Sequence, residues 1–233
     1  MKKGIAISSV SLIRTPEEGE IVLQTISELS SLNLPIIIAD GGSKTEYVEK
    51  IKSYKNVQLY QTEGLMNQLK ISQGEAAKVA DTIFYLHTDK LTFVRENAKR
   101  LIELQLKNPK RMLIPVRDNE SLNSYPPYQR EAEQFLNFFV SDFIGQKNDY
   151  YAGPKLYPSS LVSYLDQLKE EINWGIEAYY YAIAKRLEMP FYFETVVSPS
   201  PQDIDDVDKT KDYRLKIVEW QIKGLLLGKQ VNL

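Results

Sequence analysis

The feature that most constrains this chain is a rhythm in its first 117 residues. Five short runs rich in β-branched and aromatic residues (4–10, 35–40, 56–61, 82–86 and 111–116) alternate with stretches whose apolar residues recur at helical spacing. Strands that alternate with helices of ~12 residues form βαβ units, and right-handed crossovers then impose a mostly parallel sheet. The run Pro35-Ile36-Ile37-Ile38-Ala39-Asp40 is apolar almost throughout, as a strand covered on both faces must be. Thr15-Pro16-Glu17-Glu18 has the chemistry of a helix start, with threonine as cap, proline at the first position and acids in the first turn. Ser43 is expected to cap the helix that carries Tyr47, Val48 and Ile51.

The second half has a different rhythm. Residues 118–129 read as a loop and 130–144 as a helix, on which Phe135, Phe138, Phe139 and Phe143 form a wide apolar face expected to pack on the core. A turn-rich segment, 150–158, precedes helical patterns at 161–168 and 176–187, a strand at 191–197, a loop at 198–208 and a closing helix at 213–227. On that last helix Leu215, Val218, Ile222, Leu225 and Leu226 are expected to pack on the sheet or on a second subunit. Most of Tyr150, Tyr151, Tyr157, Tyr179, Tyr180 and Tyr181 are expected to be structural, with sugar stacking as the alternative. No repeat or linker divides the chain, so 1–233 is read as one α/β domain, a mostly parallel central sheet flanked by helices.

Composition narrows the function. Without cysteine the chain has no disulfide, zinc ribbon or thiol nucleophile. With 29 basic and 31 acidic residues it has no electrostatic footprint for nucleic acid. The apolar run after Met1-Lys2-Lys3 is too short for a secretory signal, and no segment approaches the ~20 residues of a membrane span. A cytoplasmic protein without membrane association is therefore expected.

In open α/β sheets, ligands bind beyond the carboxyl ends of strands. Two such ends are polar. Asp40-Gly41-Gly42-Ser43 offers glycines for close approach and a carboxylate for hydrogen bonds, or else it is simply a turn. His87 and Asp89, two apart on an extended segment, face the same side and could reach one divalent ion or one diphosphate. A lone histidine also serves as an ordinary hydrogen-bonded residue.

These segments carry a resemblance. Ile37-Ile38-Ala39-Asp40-Gly41-Gly42-Ser43 is similar to the V-V-D-D-G-S segment of nucleotide-diphospho-sugar transferases with the glycosyltransferase A (GT-A) fold. Residues 80–89 resemble their G-D-x-I-x-F-L-D-x-D stretch, and Pro16-Glu17-Glu18 resembles their P-x-x-N-E-E opening. Tyr151-Ala152-Gly153-Pro154-Lys155, followed by Asn173-Trp174-Gly175-Ile176-Glu177, is similar to the A-G-x-x to G-Y-G-V-E arrangement of glucosyl-3-phosphoglycerate and mannosylglycerate-type synthases. The resemblance spans residues 4–200.

It implies transfer of a hexosyl group from a nucleotide-diphosphate sugar, of UDP or GDP type, to a small-molecule or glycan acceptor. Residues 1–117 would be the nucleotide-binding half, and 118–233 the acceptor-binding half with the C-terminal helix. Asp40 and Gly41 would serve the base, with Ser8 or Ser9 and Glu18 near base and ribose. Asp89 matches the last aspartate of the metal-binding D-x-D, with His87 in place of the first, and a divalent cation (Mn²⁺ or Mg²⁺) is implied. Gly153 and Lys155 would sit by acceptor or donor sugar. Trp174, Gly175 and Glu177 would line the sugar pocket, with Glu177 holding hydroxyls or acting as base. Asp89 and Glu177 are thus the candidate catalytic residues.

Imidazole suits Mn²⁺ better than Mg²⁺. The synthases' late metal-binding histidine has no counterpart here, where Asp203, or a cation such as Lys90 or Arg117, would have to take its part. Asp203, Asp205, Asp206 and Asp208 lack the glycine and terminal glutamate of a calcium loop. The synthase likeness points to retention at the anomeric carbon, whereas the wider family inverts. A nucleotidyltransferase is disfavoured because residues 8–15 contain no glycine, and a non-catalytic sugar-nucleotide-binding protein remains the alternative. The tips at residues 40 and 89 are expected on neighbouring strands, open to one cleft. A homo-oligomer is left open.

Overall fold

The computed structural model describes residues 4–200 and 211–233. The aspartates at 203, 205, 206 and 208 lie outside them. The first half runs β1 (Ile5–Ser11), α1 (Pro16–Ser31), β2 (Ile36–Asp40), α2 (Thr45–Lys52), β3 (Val57–Gln61), α3 (Leu65–Val79), β4 (Thr82–Tyr85), α4 (Leu91–Lys107) and β5 (Met112–Arg117). There follow α5 (Asn119–Ser124), α6 (Pro127–Ile144), β6 (Lys155–Pro158), a 3₁₀ segment over Ser159–Gln167, α7 (Ile176–Arg186), β7 (Phe191–Val196) and α8 (Lys211–Gln230).

The seven strands form one sheet in the order β3-β2-β1-β4-β6-β5-β7. All pairs are parallel except those of β6, which is antiparallel to β4 and β5. Residues alternate across the sheet. Ala6, Val10 and Ile83 face a core built with α3, α6 and α7. Ile5, Ile7 and Phe84 face a second core built with α1 and α4. The segments ending at residues 40 and 89 are not neighbours, because β1 lies between β2 and β4. Their tips nonetheless flank the tip of β1, where the strand order reverses. No helix among the described residues is long and apolar enough to cross a membrane.

Thr15 accepts from the Glu18 amide and Glu18 bonds back, completing the capping box expected at α1. Elsewhere tertiary contacts override local reading. Ser43 does not cap α2, whose cap position is Lys44. Its hydroxyl instead binds Asp40 and accepts from the Ile13 amide. Residues 118–129 are not a loop throughout, since Asp118 caps the six-residue α5. The turn-rich segment 150–158 ends in a strand, β6, held in the middle of the sheet. On α6 the buried side chains are Gln129, Glu133, Leu136, Val140 and Ile144, while Phe138 is 69% exposed and Phe135 50%. Arg117, buried at the end of β5, draws the Glu133 side inward and leaves Phe135, Phe138 and Phe139 exposed, while Phe143 packs against the core as expected. On α8 the buried residues are Gln221, Gly224 and Gly228, and Val218, Ile222 and Leu225 pack partly buried against the core as expected, whereas Leu215 and Leu226 are exposed. A Cβ on Gly224 would sit 1.9 Å from the Gly175 carbonyl oxygen, so glycine is what lets α8 touch the α7 region backbone to backbone.

Candidate functional site

Two clefts meet at the carboxyl ends of β1 and β4. The first, ≈ 460 Å³, is lined by Ser11, Arg14 and Glu18 after β1, by Gly41 after β2 and by Gln68 from α3. Its size falls in the ~300–1,000 Å³ range of ligand clefts. The second, ≈ 160 Å³, is lined by Lys90, Gly153, Tyr151 and Glu177, by Tyr125 and Glu133 before and on α6, and by Arg214 and Gln221 on α8. His87, Asp89 and Trp174 belong to both.

The shared wall is held by packing. The His87 ring stacks on Trp174 at 4.8 Å between centroids and meets Tyr85 edge-on. Trp174 donates its indole N–H to the Tyr213 hydroxyl at 2.9 Å. Burial takes solvation from the imidazolium and lowers the His87 pKa to about 4, against the pull of Asp89, so the ring is neutral at pH 7. Nε2 of His87 and Oδ1 of Asp89 are buried and have no hydrogen-bond partner among the described residues. Buried polar atoms are rarely left so. Next to them, burial would lower the Lys90 pKa, but Tyr125 and Asp89 outweigh it and the net shift is upward. Lys90 reaches the Tyr125 hydroxyl at 3.4 Å.

Other candidates have local partners. The Asp40 carboxylate is fully buried and accepts from the amides of Gly42 and Ser43 and from the Ser43 hydroxyl, so it closes the turn that presents Gly41. Glu18 lines the first cleft but also accepts from the Arg14 amide at 2.7 Å. Ser8 and Ser9 are buried inside the sheet, and Ser9 donates to the Leu86 carbonyl. Ser11, which the sequence reading missed, is the serine on the cleft; period two along β1 places it on the face of Ser9 and at the strand's tip. Lys155 is 1% exposed and donates to Glu177 at 2.7 Å and to the Gly153 carbonyl. Burial raises the Glu177 pKa and lowers that of Lys155, while their pairing opposes both shifts. Gly175 faces α8 rather than a cleft. Arg117 is held by Asp149 and Glu133, with Tyr125 stacked on it, so it is not placed to meet a diphosphate. The six tyrosines are buried.

No family model matches the chain, and no curated protein matches it in sequence. Solved structures do match. Glucosyl-3-phosphoglycerate synthase from Mycobacterium tuberculosis superposes with a TM-score of 0.66 at 14% identity, over 99% of this chain and 82% of that one. The same synthase in complex with Mn²⁺, UDP and glucosyl-3-phosphoglycerate matches with the same score and identity, over 99% and 81%. Mannosyl-3-phosphoglycerate synthase from Rubrobacter xylanophilus matches with a TM-score of 0.62 at 12% identity, over 99% and 76%. The chain has the GT-A-like fold.

Within the GT-A-like fold, the two clefts occupy the crevice where open α/β sheets bind ligands. Among the described residues no three histidine, aspartate or glutamate side chains gather as a metal cluster. His87 and Asp89 nonetheless fit a divalent cation, because both present an unpaired buried donor atom to the shared wall. A pair of protein ligands suffices where substrate phosphates complete the shell, as is usual for Mg²⁺.

Proposed function

We propose that this protein transfers a hexosyl group from a nucleoside-diphosphate sugar, of UDP or GDP type, to a small hydroxyl-bearing acceptor. The observation that carries the reading is the shared wall. A neutral imidazole and a carboxylate, each with an unpaired buried atom, stand beside Lys90 where the two clefts meet. The first cleft takes the nucleoside, with Ser11, Glu18 and Gly41 on it and Asp40 holding the Gly41 turn. The second takes the sugar and the acceptor, with Glu177 and Gly153 on it. A divalent cation held by His87 and Asp89, Mn²⁺ more readily than Mg²⁺, would neutralise the charge that develops on the leaving diphosphate. Lys90 adds a fixed positive charge at that point. Trp174 keeps the His87 ring in place. Glu177 either holds sugar hydroxyls or serves as base. The solved neighbours with UDP and metal support this assignment.

Thermal unfolding with UDP-glucose or GDP-mannose, with and without Mn²⁺, tests the donor site. A ligand at 100 times its Kd adds ~2.7 kcal/mol of stability, so a clear rise in Tm is expected. Asp89→Asn is expected to lower turnover more than donor affinity. Equal turnover in wild type and variant removes Asp89 from the mechanism. The incomplete protein ligand set favours one further reading, a sugar-nucleotide-binding module. Stabilisation by donors with no release of UDP across a broad acceptor panel decides for it.

A further inference from the structure

The first turn of α8 spans the junction of the two clefts. Tyr213 lines the first cleft and Arg214, its neighbour in the chain, lines the second. Tyr213 also accepts the Trp174 indole N–H, which ties this turn to the wall that carries His87 and Asp89. A Cβ on Gly224 or Gly228 would strike the backbone at Gly175 or Tyr179, so α8 is seated closely and fixes where Arg214 stands. Nε of Arg214 is buried and has no hydrogen-bond partner among the described residues. The acids that share its cleft are turned elsewhere. Glu133 pairs with Arg117 at 2.6 Å and Glu177 with Lys155 at 2.7 Å. Oδ1 of Asp89 is itself unpartnered, so it is not spent on Arg214.

A buried guanidinium nitrogen with no protein acceptor calls for one from a ligand or from water. The planar fork of arginine matches two oxygens of a phosphate, each accepting from an N–H. A cleft of ≈ 160 Å³ brings Arg214 and Lys90 to one small space beside the shared wall. In the transfer reading, that is where negative charge develops. The bond between the anomeric carbon and the diphosphate breaks with its electron pair going to the β-phosphate oxygen, so the diphosphate gains one negative charge. The acceptor oxygen bonds to the anomeric carbon and gives its proton to Glu177 or to water. Among the described residues the protein donors to a cation stop short of three, so fixed positive charge is what remains to meet that gain.

We propose that Arg214, together with Lys90, binds the diphosphate of the donor and stabilises the charge it gains on leaving, so that nucleoside-diphosphate binding survives removal of the divalent cation. The proposal rests on the transfer reading for its chemistry, yet binding of a nucleoside diphosphate does not require turnover. Titration calorimetry of the full chain with UDP, GDP and UMP, each in Mn²⁺ and in EDTA, tests it. UDP or GDP is expected to bind the wild type in EDTA. Arg214→Gln should weaken that diphosphate by about ten-fold or more, the loss of a charge-assisted hydrogen bond, and the monophosphate far less. Its Tm should not fall, because Nε has no protein partner to lose. Arg214→Lys keeps the charge and should recover most of the lost affinity. Diphosphate affinity unchanged in Arg214→Gln overturns the proposal, and a rise in acceptor KM alone would then assign the guanidinium to an anion on the acceptor. Equal losses for diphosphate and monophosphate overturn it too, as does diphosphate binding that vanishes in EDTA. A wild type that binds as described but releases no UDP or GDP from nucleotide sugars across a broad acceptor panel sinks the transfer reading and leaves this one standing. An active transferase whose diphosphate affinity ignores Arg214 does the reverse.

Discussion

Burial of His87 has a consequence for stability that can be worked out with its sign. The folded pKa, about 4, lies below the ordinary value of 6.5. Between these values the unfolded chain binds more protons than the native one, so native stability falls as pH is lowered from 6.5 through 4. Between pH 7 and pH 4 the effect of such a shift is about 3 kcal/mol. His87→Asn is expected to lose that component: denaturant unfolding at pH 7 and pH 4 should differ less in the variant than in wild type by this amount. Asp40 shows a second residue-scale effect. A carboxylate at a strand tip could equally read a base or tie its own turn, and local sequence does not distinguish them. Here it accepts from three groups of the turn, so Asp40→Ala should cost ~1–3 kcal/mol in urea unfolding. An unchanged midpoint would mean that the turn does not depend on it.

At the scale of elements, the places where the sequence pattern misled share one cause. Apolar spacing on α6 and α8 marks a helix correctly but only part of the face that goes inward: Phe143, Val218, Ile222 and Leu225 pack on the core, while Phe135, Phe138, Phe139, Leu215 and Leu226 do not. On α6 the burial of Arg117, which also takes Asp149, demands Glu133, and that demand outweighs the pull of Phe135, Phe138 and Phe139. On α8 the close approach of backbones at Gly175, Gly224 and Gly228 decides the face, and a glycine carries no hydropathy signal. The clash a Cβ would make at Gly224 is with backbone, which cannot swing aside. Gly224→Ala is therefore expected to destabilise the protein by ~1–3 kcal/mol, read from chemical denaturation. If the proposed transfer function holds, it should also weaken binding of UDP, because Gly175 adjoins Trp174 in the shared wall. A variant as stable as wild type would show that α8 can move outward freely.

For the molecule as a whole, β6 is the decisive element. It comes from the second half of the chain yet lies between β4 and β5 of the first. Residues 1–117 alone would leave β4 and β5 without the strand that joins them and would expose their apolar faces. That fragment is expected to lack cooperative unfolding by circular dichroism, whereas the full chain should unfold in one transition. The division into a nucleotide half and an acceptor half can thus describe function but not folding. It also places the clefts, since the antiparallel β6 carries Lys155 behind Glu177 while the parallel strands bring Asp89 and Ser11 to the same edge.

The sequence by itself determined the α/β class, the chain order of most elements, the capping box at Thr15 and the two polar strand ends. These depend on period, caps and turn residues within a few positions of one another. Only the tertiary structure decided that β1 separates the two tips, that β6 enters the sheet, that Ser11 rather than Ser8 meets the cleft, and that Gly175 meets α8. It alone decided which buried atoms stay unpaired. The Asp40 carboxylate and the Lys155 ammonium find partners, as do Nε and Nη2 of Arg117, while Arg117 Nη1, His87 Nε2, Asp89 Oδ1 and the Tyr151 hydroxyl do not. Whether a polar atom is satisfied depends on groups up to a hundred residues away, and no local pattern encodes that distance.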